Sequence, residues 1–378
     1  MKLRNVRLVH FRNHADTAFP ISPAINVFVG KNGEGKTNIL EGISYLCVTK
    51  SFYASNDSMA LQLGADEFTV RGTFEADGGL TFDTQVSYTG AARRKEITIN
   101  GQSPGSLAEV VGRFPVVVLS PENSNITFGS PADRRRFIDL VISQSDRGYL
   151  EDLLEYRRVL RQRNRILADE RENRGDIESI LGPWTVGLVN SGARILWRRM
   201  MFVKEFEPDV RAAFARVASG GEQPGLKYQG TVASAEDGDA ASLAAEFEKA
   251  IERSAADERR AGLTLIGPHR DELLLTINGL DLRGYASQGQ HKTFLVALKL
   301  AECSYLRERC REIPVLLLDD VLSELDSERS ARVLLETRTL GQTFITATET
   351  QAFDRVYGKG GYRRFTVQAG RVTDDDEK

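Results

Sequence analysis

Period-two alternation dominates the first hundred residues. Lys2–Phe11 alternates apolar and polar positions and predicts a first strand, with Phe11-Arg12-Asn13-His14 at its end. A short strand near Thr17–Ile21 leads into the continuous apolar run Ala24–Val29, read as a buried strand. The period then switches. Ile39, Leu40 and Ile43 fall at helical spacing and predict a helix from Lys36 to about Val48. From Glu67 to Asn100 alternation returns in three segments, Phe68–Phe74, Leu80–Tyr88 and Arg93–Ile99. The turns Asp77-Gly78-Gly79 and Asn100-Gly101 make these an antiparallel meander, a β-rich part of the same lobe as the N-terminal strands.

Phe114–Leu119 is a further buried strand, after which the pattern becomes helical. Ser130 followed by Pro131 is a helix start. Tyr149 to about Arg171 is a long helix with the apolar stripe Leu153, Tyr156, Leu160 and Leu167. Arg157, Arg161 and Arg165 stand four apart on that helix. They form either a solvated face balanced by Glu151, Asp152 and Glu155, or a row that grips a phosphate backbone. Trp184 to about Val217 is a second long helix carrying Arg194, Arg198 and Arg199. Pro208 is expected to kink or interrupt it, and Gly220-Gly221 to end it. Two long helices in succession suggest a projecting arm or lid.

Beyond them come a short strand in Leu226–Val232, a loop over Ser234–Asp239 and a helix over Leu243–Arg259. Leu263–Gly267 returns to the apolar core, and Glu272–Ile277 is a strand closed by Asn278-Gly279. The divisions that follow are 1–128 for the first part of a nucleotide lobe, 129–221 (260 at the outer limit) for a helical arm, and 262–378 for the second part of the lobe.

Composition narrows the class without naming it. The chain has 378 residues, 41% of them hydrophobic and 27% charged, enough for a large core and two lobes. Its net charge of -3 announces no nucleic-acid partner in bulk, so any such site must be a local patch. Cys47, Cys303 and Cys310 are odd in number with no C-x-x-C spacing, and read as reduced thiols of a cytoplasmic protein. No membrane span and no signal peptide are expected.

The chemistry lies in GKNGEGKT, Gly30, Lys31, Asn32, Gly33, Glu34, Gly35, Lys36 and Thr37, set between the buried strand and the first helix. Strand, glycine-rich turn, helix is the context that the G-x-x-x-x-G-K-[ST] phosphate loop requires. Its glycines let backbone N–H groups converge on an anion, and the helix N-terminus adds partial positive charge. Lys36 would reach the β- and γ-phosphates of ATP, and Thr37 would be a ligand for Mg²⁺. Ile313–Leu318 is an apolar strand ending in Asp319-Asp320, which reads as the matching Walker B element. Asp319 would hold Mg²⁺ directly or through water. Asp320 would polarise the attacking water, so Asp320 and Lys36 are the catalytic candidates.

Ala286-Ser287-Gln288-Gly289-Gln290 precedes another apolar helix. On its own this is an ordinary capped core helix. Beside a complete phosphate loop, it also suits a second anion site facing the nucleotide of another copy across a twofold axis.

At this point the residues reach a resemblance. S-Q-G-Q is similar to the signature motif of ABC ATPases, and Ser323-Glu324-Leu325-Asp326 to their D-loop. Phe11-Arg12-Asn13, GSPADRRRFID from Gly129, YLEDLLEYRRVLRQRN from Tyr149, GPHRDEL at Gly267–Leu273, ASQGQHKT, LKLAE and LLLDDVLSELD together resemble the RecF family of the SMC-like group, over nearly the whole chain. The resemblance implies an α/β fold: an ABC-type P-loop ATPase head, with a mixed sheet plus an antiparallel β meander, and a helical arm or lid lobe. It implies a weak, DNA-stimulated ATPase that forms a homodimer on ATP and binds double-stranded DNA. It also implies work with RecR and RecO to direct RecA loading at single-strand gaps, in the cytoplasm at the nucleoid and without a membrane.

Carried onto this sequence, the resemblance places Ser287, with Gly289 and Gln290, at the γ-phosphate in trans, and Arg12 and Asn13 near the nucleotide. Two departures are visible. Tyr53 stands where the family's K-S-x-R loop has arginine, and Ser120-Pro121-Glu122 replaces a glutamine loop. Phe344-Ile345-Thr346-Ala347-Thr348 offers threonines where transporter ATPases carry a switch histidine. The competing readings are an ABC-type ATPase subunit of a transport or mechanical complex, a small-molecule kinase, and a scaffold that binds ATP without useful turnover.

Overall fold

The alternating segments of the first hundred residues are strands in the computed structural model, which describes residues 1–54, 56–169, 177–218, 220–233, 239–321, 325–358 and 360–375. The order begins β1 (Lys2–Phe11), β2 (His14–Pro20), β3 (Ile25–Val29), α1 (Lys36–Val48), β4 (Glu67–Glu75), β5 (Thr81–Thr89), β6 (Arg94–Ile99) and β7 (Val116–Leu119). Helices α2 (Ser124–Phe128), α3 (Pro131–Ser145), α4 (Arg147–Asp169) and α5 (Ile177–Val217) follow. Next come β8 (Pro224–Gln229), α6 (Ala240–Ala261), β9 (Glu272–Ile277), β10 (Leu280–Asp281), α7 (Leu282–Tyr285) and α8 (Gln288–Cys310). The run continues with β11 (Val315–Leu318), α9 (Ser327–Leu340), β12 (Thr343–Ala347), α10 (Gln351–Tyr357), β13 (Arg363–Gln368) and β14 (Arg371–Asp374).

These elements form two compact units. The first comprises Met1–Ser124, Ala212–Gly221 and Gln288–Lys378; the second comprises Asn125–Arg211 and Glu222–Ser287.

The first unit holds two sheets. One has the order β2-β1-β4-β5-β6 and is antiparallel throughout, so the meander does join the N-terminal strands. The other has the order β14-β13-β3-β12-β11-β7, parallel except for the edge strand β14. Strands β3, β7, β11 and β12 are buried at every position, which is why they read as unbroken apolar runs. Helix α1 is seated on the antiparallel sheet through an edge-to-face trio, Phe11, Tyr45 and Phe68, with ring centroids 5.2–5.5 Å apart.

The second unit packs long helices with the sheet β10-β9-β8. Helix α3 starts as its sequence dictates: Ser130 and Asp133 make a capping box and Pro131 opens the first turn. Of the two effects expected of Pro208, a kink or an interruption, helix α5 excludes the second. It runs for 41 residues with Pro183 and Pro208 inside it, so Pro208 does not interrupt it. A proline removes one ladder hydrogen bond, and here Phe202, Phe206, Val210 and Phe214 are buried on both sides of it.

The division also differs from the sequence boundaries. Residues 262–287 belong with the helical unit and 212–221 with the nucleotide unit. The cause is pairing: β9 lies antiparallel to β8, with Leu275 opposite Leu226, and periodicity does not reveal a strand's partner. The loop expected over Ser234–Asp239 lies outside the described residues except for Asp239, which caps α6.

A buried polar cluster fixes the second unit. Arg163 is 3% exposed and donates to Glu258 Oε2 at 2.7 Å, Thr264 Oγ1 at 2.8 Å and Thr185 Oγ1 at 3.2 Å. The other Glu258 oxygen accepts the Leu265 N–H at 2.8 Å. Glu258→Ala strands the guanidinium and should destabilise this unit by about 3–5 kcal/mol. Urea unfolding followed by the fluorescence of Trp184 and Trp197, both in the second unit, would show it, and an unchanged midpoint would contradict the assignment.

Candidate nucleotide site

The phosphate loop leaves the sheet at Val29 and re-enters helix at Lys36. Gly35 has φ +108°, a left-handed conformation, and a Cβ there would collide with the Asn13 amide. Asn13 holds the loop from behind: its Nδ2 donates to the Glu34 carbonyl at 3.0 Å, and its Oδ1 accepts from Asn38 Nδ2 at 2.8 Å. The buried His14 ring touches the carbonyl oxygens of Gly35 and Gly370, at 3.1 and 2.7 Å.

Inside the curl, Lys36 Nζ donates to the Gly30 and Lys31 carbonyls at 2.7 and 2.8 Å. Burial lowers the Lys36 pKa, against the pull of Asp320, Asp319 and Glu34.

Parallel pairing brings the second half of the site to the first. Strand β12 lies between β3 and β11, with Ala347 opposite Val29 and Ile345 opposite Leu318. The carboxyl ends of the three strands therefore meet at one edge, the usual ligand edge of a parallel sheet. Asp319 Oδ1 accepts two hydroxyls, from Thr37 and Thr346, each at 2.8 Å. The Asp320 N–H donates to the same Thr346 Oγ1 at 2.9 Å. Asp320 sits at φ +48°, so Thr346 holds the second carboxylate in a sparsely populated backbone conformation. Burial, with the Asp320 charge adding to it, raises the Asp319 pKa above the ordinary carboxylate value; the two hydroxyls oppose this.

These groups line a cleft of about 300 Å³ that includes Gly33, Lys36, Thr37, Asp319, Asp320 and Thr346. Asn32 and Gly35 line it too, whereas Gly30, Lys31 and Glu34 shape the loop through their carbonyls. The residues present fit a nucleoside triphosphate with a divalent cation. A buried ammonium sits inside a glycine curl in which neither Gly30, against the Val367 carbonyl, nor Gly35, against Asn13, has room for a Cβ. The Thr37 hydroxyl and the Asp319 carboxylate are oxygen donors, the kind that Mg²⁺ prefers, with the Asp320 charge beside them.

Other expected site residues lie elsewhere. Arg12 does not line the cleft. Its guanidinium is bidentate to the buried Glu41, at 2.8 and 2.7 Å, and donates to the Met59 carbonyl at 2.7 Å. Gly289 and Gln290, in the same unit as the cleft, do not line it either, and Ser287 is exposed just before α8. Of the D-loop, Ser323 and Glu324 fall outside the described residues, and Asp326 caps α9 by accepting the Arg329 N–H at 2.8 Å. Tyr53 is exposed, 6.0 Å from the Arg12 guanidinium.

Arg157, Arg161 and Arg165 are exposed on α4 in the second unit. The neighbouring arginines are spoken for: Arg194 pairs with Asp152, Arg198 with Asp146 and Arg199 with Asp139. In the sequence Thr346 stands out only as one of the threonines at the switch position, with no contact assigned, and Glu41 only as a carboxylate inside an apolar helix.

With the geometry in place, comparison with known proteins fixes the family. The RecF/RecN/SMC N terminal domain matches residues 2–360. The DNA replication and repair protein RecF of Chloroherpeton thalassium is 44% identical over 359 residues, 94% of this chain and 97% of that protein. The chain belongs to the RecF family. RecF of Salinibacter ruber is 40% identical over 386 residues, covering all of this chain and 93% of its own. A solved structure of the recombination mediator protein RecF with ATP, in the RecFOR pathway, matches with TM-score 0.91 at 30% identity, over 99% of this chain and 97% of that one. The Smc head domain of Pyrococcus furiosus matches with TM-score 0.56 at 15% identity, over 99% of this chain and 96% of that one, a likeness of fold. This RecF-family chain therefore has the SMC-like ATPase fold, and no helix among its described residues is long and apolar enough to cross a membrane.

Proposed function

We propose that this chain is an ATP-timed DNA clamp of recombinational gap repair. The observation that supports it best is the cleft itself, where Lys36 and Thr37 of the glycine curl face Asp319 and Asp320 across one sheet edge. A RecF relative of the same fold is known with ATP. Gly30–Thr37 cradle the phosphates, Thr37 and Asp319 would hold Mg²⁺, and Asp320 takes the proton of the attacking water while Lys36 steadies the γ-phosphate. Asn13 and the Arg12–Glu41 pair act from behind, Asn13 bracing the loop and Arg12 anchoring α1. The cation, when bound, neutralises charge developing between the β- and γ-phosphates.

The signature residues Ser287, Gly289 and Gln290 contact the γ-phosphate of a second copy, so two ATP molecules sit in a homodimer interface. That Gly289 and Gln290 stand outside their own unit's cleft supports this. Ser287→Arg should leave ATP affinity of the monomer unchanged and abolish ATP-dependent dimerisation. Light scattering with and without ATP measures this, and loss of ATP binding by the monomer would reject the trans role.

The closed dimer binds double-stranded DNA near single-strand gaps through the backbone, with Arg157, Arg161 and Arg165 as contacts, and works with RecR, RecO and RecA. Hydrolysis is slow and opens the clamp. Fluorescence anisotropy of a gapped duplex, with and without ATP and Mg²⁺, tests the reading. The expected result is tight binding only with ATP, weakening steeply with salt. Absence of binding in both states would remove DNA from the proposal.

A further inference from the structure

A second cavity, of about 250 Å³, lies wholly within the helical unit and is unconnected with the ATP chemistry. It is lined by the α3 residues Arg135 and Arg136, by Arg157 of α4 and Arg199 of α5, and by the single carboxylate of Asp139; its apolar wall includes Leu160. Two of the segments that carry the family resemblance contribute, since Arg135 belongs to GSPADRRRFID, and Pro268 and His269, also in the lining, to GPHRDEL.

The charge in this cavity is not balanced. Asp139 is already committed: its Oδ1 accepts from Arg199 at 2.7 Å and from the Tyr149 hydroxyl at 2.5 Å. Its Oδ2 accepts from Arg157 at 3.2 Å. Arg199, 3% exposed, is satisfied by Asp139 and the Pro268 carbonyl. The Asp271 carboxylate turns away, accepting from Tyr228 at 2.5 Å and from Thr231, and Glu272 pairs with Arg134.

Arg135 is left half-buried with one hydrogen bond, to the Asp271 carbonyl at 2.6 Å, and no carboxylate partner among the described residues. Burial, and then the Arg199 cation, press its pKa down, against the more distant pull of the Glu272, Asp271 and Asp139 carboxylates. Arg136 is 74% exposed with only a 3.4 Å bond to Asp133. His269 adds no charge, because burial pushes it down to about 4. A part-buried guanidinium with no carboxylate in contact is a costly feature to keep unless an anion completes it.

We propose that this cavity is a phosphate subsite for a nucleic-acid strand, in which Arg135, Arg136 and Arg157 hold one backbone phosphate while the strand continues along Arg161 and Arg165. Planar guanidinium forks suit phosphate oxygens in pairs. A strand is favoured over a lone anion because Arg157 belongs to both features. It lines the cavity, and it begins a row whose members are four residues apart on one helix face, about 6 Å per step. The inference rests on the DNA-binding reading above and gives the helical unit an anchoring point within it.

The test uses the full chain with ATP and Mg²⁺, a gapped duplex, and anisotropy over a range of salt. Arg135→Gln and Arg136→Gln should each weaken binding about tenfold, and replacing all three arginines of the subsite with Gln should flatten the slope of log K against log salt by about 0.9, the share of the one phosphate they hold. Arg135→Lys should keep the slope and lose part of the affinity. Arg253→Gln, which removes an exposed charge from α6, is the control for net charge and should do neither. Arg136 is exposed, so its variant folds even if Arg135→Gln does not.

If the parent protein binds no DNA, the clamp reading and this subsite fall together. If it binds, and Arg161→Gln weakens it while Arg135→Gln and Arg136→Gln match Arg253→Gln, the subsite alone is overturned. Binding of a fluorescent polyglutamate that Arg135→Gln abolishes, with DNA binding unaltered, would reassign the cavity to an acidic protein segment.

Discussion

Asp320→Asn should lower ATP turnover on the order of 100- to 10,000-fold, the range a positioned general base contributes, while ATP still binds. The substitution is well matched to its place. Asp320 stands at φ +48°, a conformation that asparagine adopts as readily as aspartate, and its N–H bond to Thr346 does not involve the side chain. The variant gives up the charge and the capacity to take a proton.

A second effect follows from the neighbour. The Asp320 charge is one of the causes, after burial, that hold the Asp319 pKa up. Removing it should let Asp319 ionise more readily, so the cation's carboxylate is kept while hydrolysis slows. The ATP-bound dimer should therefore accumulate. Phosphate release in the steady state and light scattering after ATP addition measure the two halves of the prediction. Turnover within tenfold of the parent would remove Asp320 from the base role, and slow turnover with no stable dimer would separate hydrolysis from opening.

What can be read in the chain is what is local. The phosphate loop, its strand and its helix occupy consecutive residues, and Gly35, Lys36 and Thr37 are where their spacing puts them. Asp319 and Asp320 are legible because an apolar run ending in two carboxylates has few other uses beside such a loop. Thr346 has no legible role, because its contacts come from the register of β12 against β11. The motif puts Arg12 near the nucleotide, yet Glu41 takes its guanidinium from 29 residues away. Residues 262–287 read as part of the head because the pairing of β9 with β8 leaves no trace in either strand's pattern. The arginines of α5 read as a basic cluster only while their acceptors, Asp139, Asp146 and Asp152, are unseen. In each case what the pattern hides is a partner that lies far off in sequence.

Lys36→Met should abolish ATP-dependent closure altogether. Methionine keeps most of the length and apolar body of the lysine stem, so the loop should persist. Gly33 and Gly35 keep their positive φ and Asn13 keeps the Glu34 carbonyl without the ammonium; only the Gly30 and Lys31 carbonyls lose a donor. The loss falls on the nucleotide. In this structure Lys36 Nζ rests on the Gly30 and Lys31 carbonyls, and burial disfavours its charge. Phosphate oxygens would relieve that cost, so the interaction is stronger with ATP than without it. Charge-assisted hydrogen bonds contribute about 1.5–3 kcal/mol each, so removing one should weaken ATP binding roughly 10- to 150-fold. Both nucleotides in the dimer are affected, and because closure requires both, its equilibrium changes by the product of the two effects. Titration of a fluorescent ATP analogue gives the first quantity, and light scattering at saturating ATP gives the second. A variant that closes with normal ATP affinity would mean that the curl binds phosphate through its backbone alone. Weakened binding with normal closure at saturation would mean that Lys36 serves affinity and takes no part in assembling the clamp.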